Sequence, residues 1–414
     1  MKQILQNVLD RIKPTEKEEK EVQDRIKFIL NKINHNLKDA KAILGGSGIK
    51  GTWLKPANDA DIFVKFNYKK YKSRSAEISA ILENTLKKKS MKVTKLHGSR
   101  DYFQIIKQGF TFEIVPILDI KKAELAKNIT DVSPLHADWV NKKGKKIKDD
   151  IRLLKQFCKS VGIYGAESYI NGFSGYICEI LTIHYKGFIN LVKNAAKWKD
   201  KTIIDTEKHW KGKNILMELN KSKILSPMIV IDPVQADRNA AAALSIEKFN
   251  NFREACKRFI RHPSEKFFEI KEISEEHLKK KAAKNTLILI DVEPKEGKKD
   301  VVGCKLLKSF EYIKKIIEKH DFKVLNNGWD WNKNALFYFI IKKEKLNNFI
   351  EREGPPLSNK IHVKNFKKFH SKTFVKNKKI YAKIKRPYLN PNDLVKGLAK
   401  DNYIKEKVNG IKIK

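Results

Sequence analysis

The feature that most constrains this fold is a pair of aspartates, Asp59 and Asp61, at the start of the apolar run Asp-Ala-Asp-Ile-Phe-Val-Lys-Phe. The alternation predicts a β-strand, in which side chains two residues apart share one face. Both carboxylates would then point one way, while Ala60, Ile62 and Val64 point into a core. Two carboxylates on one face repel each other, and a divalent cation relieves that repulsion. Because Mg²⁺ prefers oxygen ligands, the run predicts a metal site at a sheet edge.

A glycine-serine turn at Gly46 and Ser47 comes shortly before the aspartates. The pattern predicts a strand from Ala42, the turn, and then a short helix. The free backbone N–H groups at the start of a helix can hold phosphate. A phosphate-holding turn beside metal-binding carboxylates provides the minimum set of groups for phosphoryl transfer.

A third acid, Glu113, alternates with Phe112 and Ile114 in a later predicted strand, so it can face the same side as the aspartates. Two metal ions about 4 Å apart on such carboxylates would activate an attacking 3′-hydroxyl and stabilise the leaving pyrophosphate. Each feature alone has an ordinary explanation: a solvated strand face, a common turn, or a salt-bridged glutamate. The ordered set favours nucleotidyl transfer.

The charge of the chain indicates a polyanionic partner. Lys and Arg number 88 against 48 Asp and Glu, giving a formal charge of +40. Such a charge favours nucleic acid or an anionic membrane surface. Residues 361–386 contain ten Lys or Arg and no acid, interleaved with aromatic rings. This composition is typical of an RNA backbone groove with stacking rings, although a solvated amphipathic surface would look similar. The rings are Phe366, Phe369, Phe374 and Tyr381.

Membrane and disulfide-rich classes are disfavoured. We find no apolar run near the ~20 residues of a membrane span, and the first twenty residues lack the apolar core of a signal peptide. The four cysteines, at positions 158, 178, 256 and 304, form no C-x-x-C pair. This spacing argues against a disulfide framework or zinc knuckle and favours the cytoplasm.

Hydrophobic periodicity divides the chain into three regions. Val22, Ile26, Ile29 and Ile33 predict a helix before an α/β unit. Helices are then expected from about residue 146, including helices over 174–198 and 239–261 with an extended stretch at 228–232. Strand, helix and strand follow at 287–290, 306–320 and 335–341, the ingredients of a ferredoxin-like α+β unit. The predicted domains are therefore 1–140, 141–264 and 265–414.

The segment Gly46-Ser-Gly-Ile-Lys-Gly-Thr-Trp-Leu54, followed by Asp59-Ala-Asp-Ile-Phe63, resembles the archaeal-type (class I) CCA-adding enzymes of the polymerase-beta-like nucleotidyltransferase superfamily. Gly354-Pro-Pro356 and the basic stretch after it are also similar, but more weakly, and the segment over about 263–350 is the least specific. Further similar segments are Pro134-Leu-His136, Leu153-Leu-Lys155, Gly162-Ile-Tyr-Gly-Ala-Glu167, Gly172-Phe-Ser-Gly-Tyr176, Asp232-Pro-Val and Arg238-Asn-Ala-Ala-Ala242.

The resemblance implies a nucleotidyltransferase head domain (1–140), a mainly helical, nucleotide-binding neck (141–264), and a ferredoxin-like, RNA-binding body with a basic tail (265–414). It also implies template-independent addition of CCA to the 3′ end of tRNA from CTP and ATP, with two Mg²⁺ ions as cofactors and release of pyrophosphate. The expected partners are the tRNA 3′ end and acceptor stem. The resemblance does not decide whether the chain forms a homodimer.

The same resemblance assigns the site residues one by one. Asp59, Asp61 and Glu113 match the catalytic, metal-binding carboxylates, although the third position is as often an aspartate. The resemblance places Ser47 and Lys50 at the triphosphate and Arg238 at the incoming base, and it implies that His136, Lys155 and Tyr164 also contact the nucleotide. Several of these residues also have an ordinary structural explanation: a packed histidine, a solvated lysine, a tyrosine at a helix end or an ion-paired arginine.

Alternative functions share parts of this pattern. A poly(A) or terminal uridylyl polymerase would use the same catalytic groups. A non-catalytic basic RNA-binding protein would need no carboxylates, yet all three are present. A small-molecule nucleotidyltransferase, such as those that modify aminoglycosides, would need neither the charge nor the basic C-terminal region.

Overall fold

The computed structural model describes residues 1–35, 37–88, 91–270, 273–332 and 334–414. The chain divides into two compact units, Met1–Lys271 and Glu272–Lys414. The first unit has the helices α1 (Lys2–Ile12), α2 (Glu16–Asn34), α3 (Gly46–Lys50), α4 (Tyr68–Tyr71), α5 (Ile78–Lys88), α6 (Ser133–Gly144), α7 (Lys148–Ser160), α8 (Gly175–His184), α9 (Phe188–Ala195), α10 (Ile215–Glu218) and α11 (Ile246–Arg261). Its strands are β1 (Ala40–Leu44), β2 (Asp59–Phe66), β3 (Thr94–Leu96), β4 (Tyr102–Lys107), β5 (Phe110–Leu118), β6 (Thr202–Ile204), β7 (Met228–Asp232) and β8 (Gln235–Asn239).

The second unit begins with a helix, after which a strand, a helix and further strands follow. Its helices are α12 (Glu275–Ala282), α13 (Lys299–Lys319), α14 (Lys360–Phe369), α15 (Pro391–Leu398) and α16 (Asn402–Lys407). Its strands are β9 (Thr286–Glu293), β10 (Val324–Trp331), β11 (Ala335–Ile341), β12 (Phe349–Pro356), β13 (Thr373–Lys376), β14 (Lys379–Lys385) and β15 (Gly410–Ile413).

The sheet that carries the predicted aspartates has the strand order β1-β2-β5-β4-β3. Strand β2 lies inside it, antiparallel to β1 and parallel to β5. Helix α2 begins with a capping box in which Thr15 and Glu18 bond each other's backbone N–H groups. Its residues Ile26, Ile29 and Ile33 are buried against the sheet, which confirms the predicted amphipathic helix.

The helical half of the first unit surrounds an aromatic core. The Phe157 ring of α7 lies 5.7–6.2 Å, between ring centroids, from five other phenylalanine rings. Such offset and edge-to-face contacts stabilise a core beyond the area that they bury. The five rings belong to Phe188, Phe252, Phe259, Phe267 and Phe268.

Two predicted helices in this half were wrong in extent. The helix expected over 174–198 is two helices, α8 and α9, because Lys186 and Gly187 take positive φ angles of 57° and 127° and end the first. The helix expected from Asn239 begins only at Ile246, after the Ser245 cap. Asn239 instead ends β8, where its side chain accepts a hydrogen bond from the Val230 N–H.

In the second unit, β10, β11, β9 and β15 form an antiparallel sheet in that order. The predicted strand, helix and strand at 287–341 are present as β9, α13 and β11, and the structure has a further strand, β10, that was not predicted. The basic stretch 361–386 contains most of α14 and the hairpin β13–β14, which pairs with β12.

The predicted domain limits stay predictions. The limit at 140/141 falls inside α6, and the limit at 264/265 precedes the division between the two units by a few residues. Within the described ranges, no helix combines the length and the apolarity that a membrane crossing requires.

We expect Phe157→Ala to lower the free energy of unfolding by about 3–5 kcal/mol, because the cavity it leaves is lined by rings that cannot collapse fully. Urea denaturation followed by tryptophan fluorescence would measure this, since Trp198 stacks on Phe249 in the same core. The control is Phe28→Ala, whose ring is 52% exposed and should cost less than about 1 kcal/mol. Equal losses in the two variants would contradict a central role for Phe157.

Candidate active site

The glycine-serine turn and the aspartate strand are joined by direct contact. The Gly45 N–H donates a 2.8 Å hydrogen bond to the Asp61 carbonyl. Gly46 has a φ of 53°, and a Cβ there would lie 1.6 Å from Oδ2 of Asp61. Only glycine therefore lets the carboxylate of Asp61 lie against the start of α3. Ser47, the next residue, is partly exposed beside it.

The third acid reaches the same face through parallel pairing of β2 and β5. Asp61 and Glu113 are direct partners in the strand register, so their side chains leave the sheet on one side. Asp59 begins β2 and is exposed, whereas Ala60 and Ile62 are buried on the opposite side. The predicted alternation of β2 is confirmed, and the three acids share one face of the sheet.

The electrostatics of this face favour a cation. Burial and the neighbouring Asp59 carboxylate raise the pKa of Asp61 to about 6, against the opposing charge of Lys50. A divalent cation would restore the charged form of such a carboxylate. Among the described residues, however, no three His, Cys, Asp or Glu side chains are gathered closely enough to hold a metal. The donor chemistry fits a cation, and the metal-ligand roles of the three acids stay predictions.

Lys50, expected at the triphosphate, and Lys155, expected to bind the nucleotide, meet at a buried carboxylate that the sequence analysis missed. Glu179 of α8 accepts a hydrogen bond from Lys50 Nζ at 2.7 Å and from Lys155 Nζ at 2.8 Å. The Thr52 hydroxyl donates to the same carboxylate at 2.8 Å. We call these four residues the Glu179 cluster.

Glu179 is stabilised as a carboxylate despite its burial. Burial raises its pKa, but the charges and hydrogen bonds of Lys155 and Lys50 outweigh this and lower the pKa to about 2. A sequence signal for it did exist. Glu179 is a lone acid in the apolar run Tyr-Ile-Cys-Glu-Ile-Leu-Thr-Ile of α8, and a buried acid requires a charged partner.

His136 and Arg238 meet at a second acid, Asp232, at the end of β7, which the sequence analysis noted within a similar segment but did not assign to the site. Its Oδ2 lies 3.0 Å from His136 Nε2 and 2.5 Å from Arg238 Nη1. Tyr176 donates its hydroxyl to Oδ1 at 3.1 Å. Burial raises the pKa of Asp232, yet His136, the Val234 N–H and the charge of Arg238 lower it to about 2, while burial lowers the pKa of His136. We call these four residues the Asp232 cluster.

Tyr176 connects the two clusters. Its ring stacks on His136 with 4.0 Å between centroids, and Lys50 Nζ lies 5.4 Å from its centroid. The two clusters therefore form one connected set of polar side chains, which runs from α3 to Arg238 in β8. We call this set the polar floor.

Tyr164, the remaining predicted residue, lies at the edge of this floor. A Cβ on Gly175, the first residue of α8, would be 3.0 Å from the Tyr164 hydroxyl and 3.7 Å from Lys155 Nζ. Lys159 Nζ lies 5.3 Å from the Tyr164 ring centroid. The structure thus brings the predicted residues Lys50, Lys155 and Tyr164 together, and the charge of Lys50 also acts on Asp61. Cations around an acidic face can hold the phosphates of a nucleotide.

We expect the stability contributed by Glu179 to be lost in acid. A carboxylate whose pKa is lowered from 4.5 to about 2 contributes fully above its unfolded pKa and loses that contribution as the pH falls towards 2. The full contribution is on the order of 3 kcal/mol. Urea denaturation from about pH 5 to about pH 3 should therefore show a steeper fall for the wild type than for Glu179→Gln. Parallel slopes would contradict the charged, buried state of this group.

Comparison with known proteins covers most of the chain. Residues 149–269 match the tRNA nucleotidyltransferase second-domain family, and residues 285–410 match the CCA-adding enzyme C-terminal domain. The CCA-adding enzyme of Nanoarchaeum equitans is 38% identical over 363 residues, which covers 86% of this chain and 86% of that protein. The enzyme of Methanocaldococcus jannaschii is 30% identical over 412 residues, covering 97% and 91%.

Solved structures show the same fold at low identity. A cytoplasmic RNA terminal U-transferase superposes with a TM-score of 0.51 at 16% identity, over 66% of this chain and all of that one. The Cid1 poly(U) polymerase gives 0.51 at 16% identity, over 65% and 98%. The fold over about two thirds of the chain is thus nucleotidyltransferase-like, and the identity to curated archaeal relatives along its length shows that this chain belongs to the family of CCA-adding enzymes.

Proposed function

We propose that this protein adds CCA to the 3′ end of tRNA, using CTP and ATP without a nucleic-acid template and releasing pyrophosphate. The observation that carries this proposal is the similarity to CCA-adding enzymes along nearly the whole chain, including residues 285–410. The acidic face beside the Gly46 turn supports nucleotidyl transfer as the chemistry.

In the proposed reaction, the tRNA 3′-hydroxyl oxygen attacks the α-phosphorus of the nucleotide in line. A new O–P bond forms, the bond to the β-phosphate breaks, and the hydroxyl proton passes to solvent. Asp59, Asp61 and Glu113 would hold divalent cations, with Mg²⁺ the ion that their oxygen donors favour. When bound, two such ions would lower the pKa of the hydroxyl and neutralise charge on the phosphates.

The chain's own cations would bind the nucleotide. Lys50, Lys155 and Tyr164 would bind the triphosphate, with Ser47 at the turn. Arg238 is a third exposed and uses Nη1 on Asp232, so its other N–H donors remain for base acceptors such as O2 and N3 of cytosine. His136 would orient the same region through Asp232.

The second unit would bind the tRNA. It contains the basic stretch 361–386, and its order β9-α13-β10-β11, then α15, α16 and β15, fits the predicted ferredoxin-like body. We place the polymerase-beta-like catalytic head at about 1–140 and the helical neck at about 141–264. Reaction in the cytoplasm and action on the acceptor stem follow from the same proposal.

A terminal uridylyl or poly(A) polymerase is the competing function, because Cid1 and the RNA terminal U-transferase share the fold. Purified protein with Mg²⁺ and tRNA ending at the discriminator base, supplied with CTP, ATP, UTP or mixtures, separates the two. We expect growth by C, C and A and then arrest, read by sequencing the products. A long A or U tail would assign the competing function instead. Asp61→Ala should abolish extension while tRNA binding is retained.

Gly46→Ala should lower kcat about 100-fold, because a methyl group there displaces the Asp61 carboxylate and a misplacement near 1 Å is enough for such a loss. Gly109→Ala is the matched control. Gly109 also has a positive φ, 74°, but a Cβ there meets nothing within 4 Å. Both variants carry similar backbone strain, so only the first should lose activity in the extension assay. Equal losses would trace the effect to strain and not to Asp61.

A further inference from the structure

The geometry points to Glu179 as a positioning residue, which holds Lys50 and Lys155 in place as a preformed cationic floor for the triphosphate of the incoming nucleotide. This inference rests on the proposed function, because it requires a nucleoside triphosphate at this site. Glu179 itself would not touch the substrate. It would act through the two lysines.

One carboxylate fixes groups from three separate segments. Lys50 ends α3, Thr52 lies in the following loop, and Lys155 belongs to α7. Oε2 of Glu179 accepts from Lys50, and Oε1 accepts from both Thr52 and Lys155. Lys155 Nζ also donates to the Thr52 hydroxyl at 2.9 Å. The two ammonium groups are therefore tied to opposite oxygens of one side chain and have a fixed separation.

The charges in this cluster do not balance. Two ammonium groups face one carboxylate, and no other carboxylate in the described ranges forms a salt bridge with Lys50 or Lys155. The side chains of Lys155 and Glu179 are only 3% and 1% exposed. A buried excess of positive charge is costly unless an anion shares it. The triphosphate of a nucleotide reacting at Asp61 is an anion that would lie next to this cluster.

Holding the two lysines in place before the nucleotide binds also lowers the entropic cost of binding it. Lysine loses much rotamer freedom when it is immobilised by a ligand. In this site the freedom is already lost in the folded chain, so the two cations attract a triphosphate from fixed, mostly buried positions. Removing the Glu179 charge would leave two ammonium groups close together without their common anion, and they would move apart.

The test compares Glu179→Gln with the wild type by isothermal titration calorimetry, using CTP, CMP and inorganic tripolyphosphate as probes. We expect the Kd for CTP and tripolyphosphate to rise tenfold to hundredfold, about the range seen when a residue that orients a ligand-binding group is removed. The Kd for CMP should change little, because CMP lacks the β- and γ-phosphates. In steady-state extension, KM for CTP and ATP should rise while kcat at saturation stays within a few-fold.

Two further variants make the result decisive. Glu254→Gln is the matched control, since it removes an exposed glutamate paired with Lys257 on a helix, and it should change neither CTP nor CMP binding. Glu179→Asp keeps the charge but is one methylene shorter, so it should give an intermediate Kd for CTP. If Glu179→Gln does not fold, Glu179→Asp decides the question alone.

Wild-type affinity for tripolyphosphate and CTP in a folded Glu179 variant would overturn the inference. So would a loss that is equal for CTP and CMP and follows thermal stability, because that pattern indicates a structural role only. The proposed function fails separately, if the wild type does not add CCA to tRNA. A selective loss of tripolyphosphate affinity in Glu179→Gln would then still support the positioning role.

Discussion

The parallel pairing of β2 with β5 is the constraint on which the site depends. It places Glu113 directly beside Asp61, although the two are far apart in the chain, and it turns both side chains to one face. The opposite faces of the same strands supply Ile62 and Ile114 to the core. The apolar packing that holds the sheet together therefore also fixes where the three carboxylates can lie. Gly46 also helps to fix the position of Asp61, because glycine has no side chain that would collide with the Asp61 carboxylate.

Buried acids hold the cationic side chains of this site in place. Glu179 holds two lysines, and Asp232 holds His136 and Arg238, with Tyr176 between the two clusters. Buried acids of this kind remain charged only because each is surrounded by donors. In this strongly basic protein, the cationic side chains near the acidic face therefore have fixed positions and are not spread over a solvated surface.

Local pattern predicted much of the fold. The alternation of β2, the apolar stripe of α2 and the strand-helix-strand order after residue 285 each follow from side-chain periodicity, and all three are present. The errors occur where backbone conformation overrides periodicity. Positive φ angles at Lys186 and Gly187 divide one predicted helix, and the side-chain hydrogen bond of Asn239 keeps that residue in a strand.

The sequence by itself predicted Asp59, Asp61 and Glu113 as metal-binding acids and indicated the family to which the chain belongs, because short-range spacing and motif identity can be read from the order of residues. The tertiary structure alone decided which groups meet. The partners of Lys50 and His136 lie 129 and 96 residues away along the chain, whereas the Asp232 partner of Arg238 is six residues away. A carboxylate such as Glu179 looks like an isolated charge in an apolar helix until the fold surrounds it. Contacts between distant segments depend on how the elements pack, and local spacing along the chain does not reveal that packing.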